Sequence, residues 1–167
     1  MNLPMMKTRA CLALAEETET ARRSLYALLP RFPAEALATG DVETEDNVRG
    51  IVCHTTFAIF SYSCWIRRVL GRMDPSIEKS EKAAFLARVR AITSATAFEE
   101  ASRTASAHYY ETLADVGGDE LDREFPANWG STMGVETMME HALVHLIRHR
   151  RQLEILLGDR PRGDVSG

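Results

Sequence analysis

The sequence predicts an all-α protein of four long helices and one short one. Three observations predict it. Apolar residues recur every three or four positions through four long stretches, the repeat of one helix face. Those stretches are bounded by Pro, Gly and capping Thr residues where helices begin and end. No segment alternates apolar and polar residues as a half-buried strand would, and no internal repeat is present.

The first helix is predicted over residues 5–29. Cys11, Leu14, Thr18, Ala21, Leu25 and Leu28 share one face, and Glu16, Glu17, Glu19, Arg22 and Arg23 fall largely on the other. It reads as packing scaffold. Pro30 and Pro33 end it, and residues 30–44 read as a loop with a turn at Gly40-Asp41. Thr44 is the predicted N-cap of the second helix, whose positive end Glu45 and Asp46 suit. That helix runs to about Leu70 and stops at Gly71. Over residues 51–66 it is apolar nearly all round, which puts it at the centre of a bundle.

Residues 72–96 form a long connection with a short helix over 81–92, Phe85, Leu86 and Val89 inward. Thr96-Ala97-Phe98-Glu99 reads as a capping box. It opens the third long helix, with Phe98, Ala101, Ala105, Tyr109, Leu113 and Val116 on the inner side and Gly117-Gly118 as its end. A second loop, 119–133, carries Phe125-Pro126 and Trp129-Gly130 as markers. The fourth long helix begins at 132–135, reaches Leu157 and is closed by Gly158. Residues 159–167 are polar and rich in Gly and Pro, a flexible tail. Its Arg162-Gly163-Asp164 is a chance tripeptide.

With 167 residues the chain suits one domain, over 1–158, with a core that needs no staples. A net charge of −4 gives no basic footprint for nucleic acid. Residues 51–66 contain His54 and several hydroxyls and are too short for a membrane span. Three cysteines, Cys11, Cys53 and Cys64, form no Cys-x-x-Cys pair. Their odd number and the lack of a signal peptide predict a reducing, cytoplasmic setting. Cys53 and Cys64 lie in the apolar helix, where thiols are inert.

Chemistry concentrates in the histidines. His141, His145 and His149 recur at intervals of four, so on a helix they form a column. Neighbouring members of it can grip one metal ion, as imidazole commonly does. The competing reading is that they complement the helix C-terminal dipole beside Arg148, Arg150 and Arg151. His54 admits two readings as well: a metal ligand, or a core histidine bonded to a hydroxyl or carbonyl. His108, beside Tyr109 and Tyr110, reads as a boundary residue and not as a ligand.

If the second and fourth long helices are antiparallel neighbours, His54 lies roughly 13 Å from the start of one. His145 and His149 centre roughly 16 Å from the end of the other. The rings then meet at nearly one height. Three neutral imidazoles hold a divalent ion without cancelling its charge and leave a position open. A di-iron bundle would need Glu-x-x-His motifs, and a zincin protease His-Glu-x-x-His; both are absent. So are a Gly-rich phosphate loop and a Gly-x-Ser-x-Gly elbow. No carboxylate is evident on the His54 or His145 face to act as general base.

The chain resembles the DinB-like superfamily of four-helix metalloenzymes over most of its length. The resemblance rests on His54 in the first half of an apolar second helix. It rests equally on His145-Leu146-Ile147-Arg148-His149-Arg150-Arg151-Gln152, which is similar to the family's His-x-x-x-His-Arg-Gly-Gln signature. It implies a four-helix bundle in up-down-down-up order, with residues 72–96 as the long crossover carrying the short extra helix. It implies a divalent metal, zinc or nickel, on His54, His145 and His149, with His141 lining or supporting the site. Some relatives activate a small thiol for transfer to an electrophile. The expected function is therefore metal-dependent transfer of a thiol, or of water, to an electrophilic small molecule. The alternative is a non-enzymatic, metal-binding or stress-related interaction protein. Arg151 stands where the family usually has Gly, which would crowd or charge the site. Apolar residues on the first helix and the crossover predict a homodimer.

Overall fold

A computed structural model describes residues 3–126 and 130–158. It is all-α apart from one small ribbon. The tail at 159–167 and Trp129 lie outside the described residues.

Helix α1 spans Arg9–Tyr26, starting later than predicted because the Thr8 side chain caps it, accepting from Cys11 N at 3.0 Å. Its charged face is a correction. Glu19 and Arg22, expected outside, are only 8% and 4% exposed. They form an ion pair with Arg22 Nε 2.8 Å from Glu19 Oε2. Tyr110 donates to the same carboxylate, and Arg22 donates to Ser102. Helical periodicity sorts polar from apolar residues, and it cannot show a salt bridge folded under a neighbouring helix.

The segment predicted as a loop contains a single 3₁₀ turn at Leu29–Arg31 and a short helix, α2, at Ala34–Ala38. Leu37, 2% exposed, anchors α2 to the core. Helix α3, Val48–Val69, starts at Asn47, not Thr44. Asn47 Oδ1 accepts from Gly50 N at 2.9 Å, while Thr44 is spent on Asp46. Leu70 and Gly71 close the helix, the latter at φ +73°. As predicted, α3 is buried on nearly every side, from Ile51, Val52 and Cys53 to Cys64, Trp65 and Ile66.

The crossover helix is longer than expected. Helix α4 runs over Pro75–Arg90, with Asp74 as N-cap and proline in the first turn, so it starts six residues before the short helix expected over 81–92. Phe85 and Val89 face inward as predicted. Helix α5, Ala95–Asp115, is capped by Ser94, whose hydroxyl accepts from Ala97 N. The predicted Thr96 box does not form, because the helix has already begun at Ala95 and Thr96 lies inside it; Glu99 pairs with Arg103. In the following connection, where no strand was predicted, β1 (Glu124–Pro126) pairs antiparallel with β2 (Thr132–Gly134). Three residues per strand are too few to show alternation. The segment does for helix α6, Val135–Leu156, what a capping side chain would do. Val135 N donates to Arg123 O and Glu136 N to Leu121 O. Gly158, at φ +76°, follows the helix as expected.

Helix α3 packs against α2, α4, α5 and α6, and α1 against α5 and α6. The core lies between them, with Phe98, Tyr109, Leu113, Met138, Met139 and Leu146 fully buried. Among the described residues no helix is long and apolar enough to cross a membrane.

Candidate metal centre

Helices α3 and α6 bring His54, His145 and His149 together. Each offers a ring nitrogen, and the three nitrogens lie within 4.8 Å of one another. The equal-height estimate made from helix rise is therefore met. Burial is graded: the His149 side chain is fully buried, whereas that of His54 is 37% exposed. The cluster is closed on one side and reachable from solvent on the other.

The outer nitrogens have partners. Nδ1 of His54 is 3.3 Å from Glu45 Oε1. Nδ1 of His145 is 3.4 Å from the Tyr62 hydroxyl. Nδ1 of His149 is 2.5 Å from Gln152 Oε1, and 4.0 Å from Glu45 Oε2. An amide oxygen only accepts, so His149 carries its proton on Nδ1, and the Glu45 carboxylate beside His54 Nδ1 favours the same tautomer there. In that form Nε2 of each ring is an unprotonated acceptor turned toward the cluster. Nε2 of His54 is 2.7 Å from Nε2 of His145, which can therefore donate to it while Nδ1 of His145 accepts from Tyr62. His149 Nε2 is buried and has no hydrogen-bond partner among the described residues.

An orphaned lone pair in a buried cluster of three imidazoles is what a metal ligand looks like without its metal. The donor set fits a divalent late transition ion. Two nitrogens sharing a tetrahedral zinc at about 2.1 Å are roughly 3.4 Å apart. The hydrogen-bonded pair His54–His145 thus needs to part by less than about 1 Å to admit the ion. Tyr62 can follow the change, since its hydroxyl accepts as readily as it donates. Burial pushes that phenol up to about 12, so it stays protonated at neutral pH.

Burial also pushes the three histidines down, His145 to about 3, where the neighbouring rings and Arg148 add to the effect. All three stay neutral at physiological pH, the form that binds a metal. The arginine whose charge reaches the rings is Arg148. Arg151, expected to crowd or charge the site, is exposed. His141 stands outside the convergent group, its ring 5.7 Å from that of His145 and 5.5 Å from that of Tyr62. It lines the site's flank. His108 is half-buried elsewhere, donating to Ser63 Oγ at 2.6 Å and accepting from Arg67 at 3.2 Å. Cys53 and Cys64 are buried, and burial pushes each thiol up to about 11, leaving no thiolate at neutral pH.

Three supporting residues were not read from the sequence. Gln152 carried a signal, lying one helical turn after His149 on the same face. Tyr62 is two turns along α3 from His54. Glu45 was expected only to suit the positive end of the helix; it stands beside His54 instead, although, tied to that ring, it does not supply the free general base that the His54 and His145 faces lack. It sits outside the helix, in the loop before α3, and helical spacing says nothing about where a loop residue folds back.

A family model described as the DinB family matches residues 5–160. Comparison with curated proteins and with solved structures gives no match.

Proposed function

The chain belongs to the DinB family, and from that premise we propose that His54, His145 and His149 hold a divalent metal, zinc or nickel, in a site that activates a small thiol, or water, for transfer to an electrophilic small molecule. The observation that carries this reading is the buried, unpartnered Nε2 of His149 inside a group of three neutral imidazoles. A bound ion would lower the pKa of a thiol or water that reaches it. The protein's own contributions are orientation and access. Gln152 and Tyr62 hold the rings of His149 and His145, and the exposed edge of His54 gives small molecules a way in. Arg148 adds positive charge that favours an incoming anion.

The test is thiol consumption with an electrophile panel, using zinc- or nickel-loaded protein beside His145→Ala. Turnover by the loaded protein that is lost in the folded variant supports the reading. One observation favours the second reading, a metal-binding protein without turnover. The carboxylate at the site, Glu45, is tied to His54 and so is not a free general base. Stoichiometric metal without turnover across the panel would select that alternative.

The same reading takes residues 1–158 as one domain in up-down-down-up order. Opposed contacts support it: Lys7, just before α1, with Asp115 at the end of α5, and Arg22 near the end of α1 with Ser102 near the start of α5, and His54 with His145 and Tyr62 with His141 between α3 and α6. A second copy is proposed on the α1–α6 face, where Leu12, Val144 and Ile147 are 40%, 54% and 54% exposed. Glu16, Glu17 and Arg150 border a groove there. A two-fold axis would set the acids of one copy against the arginine of the other.

A further inference from the structure

We propose that Glu45 is a positioning residue shared by two histidines of the cluster, and that the loop carrying it is built to hold it there. The inference rests on the metal reading above for its purpose, though not for its geometry. One carboxylate faces both outer nitrogens: Oε1 is 3.3 Å from His54 Nδ1 and Oε2 is 4.0 Å from His149 Nδ1. His149 has Gln152 as its nearer partner. For His54, Glu45 is the partner at Nδ1, so the carboxylate decides which nitrogen carries the proton. With the proton on Nδ1, His54 turns a bare Nε2 toward His145 and the cluster. A histidine ligand oriented and made more basic by a carboxylate on its far side is a general device of metal sites.

The loop's construction points the same way. Residues 41–46 are pinned onto the first turn of α3. Asn47 Nδ2 donates to Asp41 O at 2.9 Å and to Thr44 Oγ1 at 3.0 Å, and Asn47 Oδ1 caps the helix at Gly50 N. The loop lies so close that a Cβ on Gly50 would run into the Thr44 carbonyl oxygen and lie 2.6 Å from Asp41 O. Gly50 is helical, where glycine is otherwise a poor choice. Its presence is explained by the passage of the loop, and Glu45 is the loop residue that reaches the histidines. The acids read from the sequence as mere complements to a helix end include the one that touches the site.

The experiment compares wild type, Glu45→Gln and Glu45→Ala, each shown folded by circular dichroism. Long-range proton–nitrogen NMR of the metal-free proteins reads the tautomer of His54 directly. A competition titration reads zinc affinity, and the cobalt spectrum reads the ligand set. The expected result is an Nδ1-protonated His54 in wild type and in Glu45→Gln, whose amide oxygen still accepts. In Glu45→Ala the proton moves to Nε2 and zinc binds roughly 10–100-fold more weakly. The cobalt spectrum stays the same in wild type and Glu45→Gln. An unchanged His54 tautomer in Glu45→Ala would overturn the proposal. So would a lost ligand in the cobalt spectrum of Glu45→Gln, which would make Glu45 a ligand itself. Should wild type bind no metal at all, the metal reading fails, while the tautomer comparison still decides the role of Glu45.

Discussion

The division of labour within each imidazole explains the site at the scale of single residues. One nitrogen is held by a protein group and the other is turned inward. The neutral state of the rings follows from burial, and burial has a cost in acid. In the metal-free protein, folding keeps His145 neutral down to about 3, whereas the unfolded chain takes up its proton near the ordinary value of 6.5. The folded pKa is depressed, so stability is complete above 6.5 and declines as pH falls toward 3. Glu19 adds a second decline. Burial alone would raise its carboxyl, but hydrogen bonds from Arg22 and Arg23 and the charge of Arg22 outweigh that and hold it at about 2. Its contribution is complete above 4.5 and is lost as pH falls toward about 2. Urea midpoints measured from pH 8 to pH 3 should fall in both windows, and a flat curve between 6.5 and 5 contradicts the neutral cluster. Gln152→Ala should leave His149 Nδ1 buried without its nearest acceptor. We expect a loss of about 1–3 kcal/mol in stability and roughly 10–100-fold in zinc affinity. Arg22→Ala strands a buried carboxylate and should destabilise by about 3–5 kcal/mol in denaturant titration.

At the scale of elements, the two helices that carry the ligands have different supports. Helix α6 starts on the backbone carbonyls of Leu121 and Arg123, just before β1, and ends beyond Gln152, so its histidines sit on one uninterrupted helix. Helix α3 starts under a loop that leaves no room for a side chain at residue 50. Gly50→Ala should lift that loop and cost about 1–3 kcal/mol by overpacking. It should also weaken zinc binding as Glu45→Ala does; unchanged affinity would separate the loop from the site. What was legible in the sequence divides along the same line. The column on α6, the lone histidine in an apolar α3 and the closing glycines at 71 and 158 are local signals, and each is found where periodicity or capping put it. The cap at Asn47 is hard to single out because Thr44, three residues earlier and followed by two acids, is also a capping residue type. The ribbon and α2 were too short to show a period. Glu45 and the Glu19–Arg22 pair depend on which segment folds over which, and no local pattern holds that information.

For the whole molecule, the ligands come from two helices far apart in sequence, so an ion bound by all three histidines ties α3 to α6. Binding to the folded chain alone then stabilises it, by about 2.7 kcal/mol at a hundredfold excess over Kd. The exposed apolar face of α1 and α6 belongs to this scale too. Ile147→Glu should leave the fold and the metal site intact and shift the protein from dimer to monomer in sedimentation; a monomeric wild type would remove that proposal. The most direct test of the central claim is elemental analysis of the folded protein, wild type beside His54→Ala and His145→Ala, after incubation with zinc or nickel and removal of excess. Near-stoichiometric metal in wild type, absent from both folded variants, is the predicted result. Wild type without metal, or variants that retain it fully, would contradict the three-histidine centre.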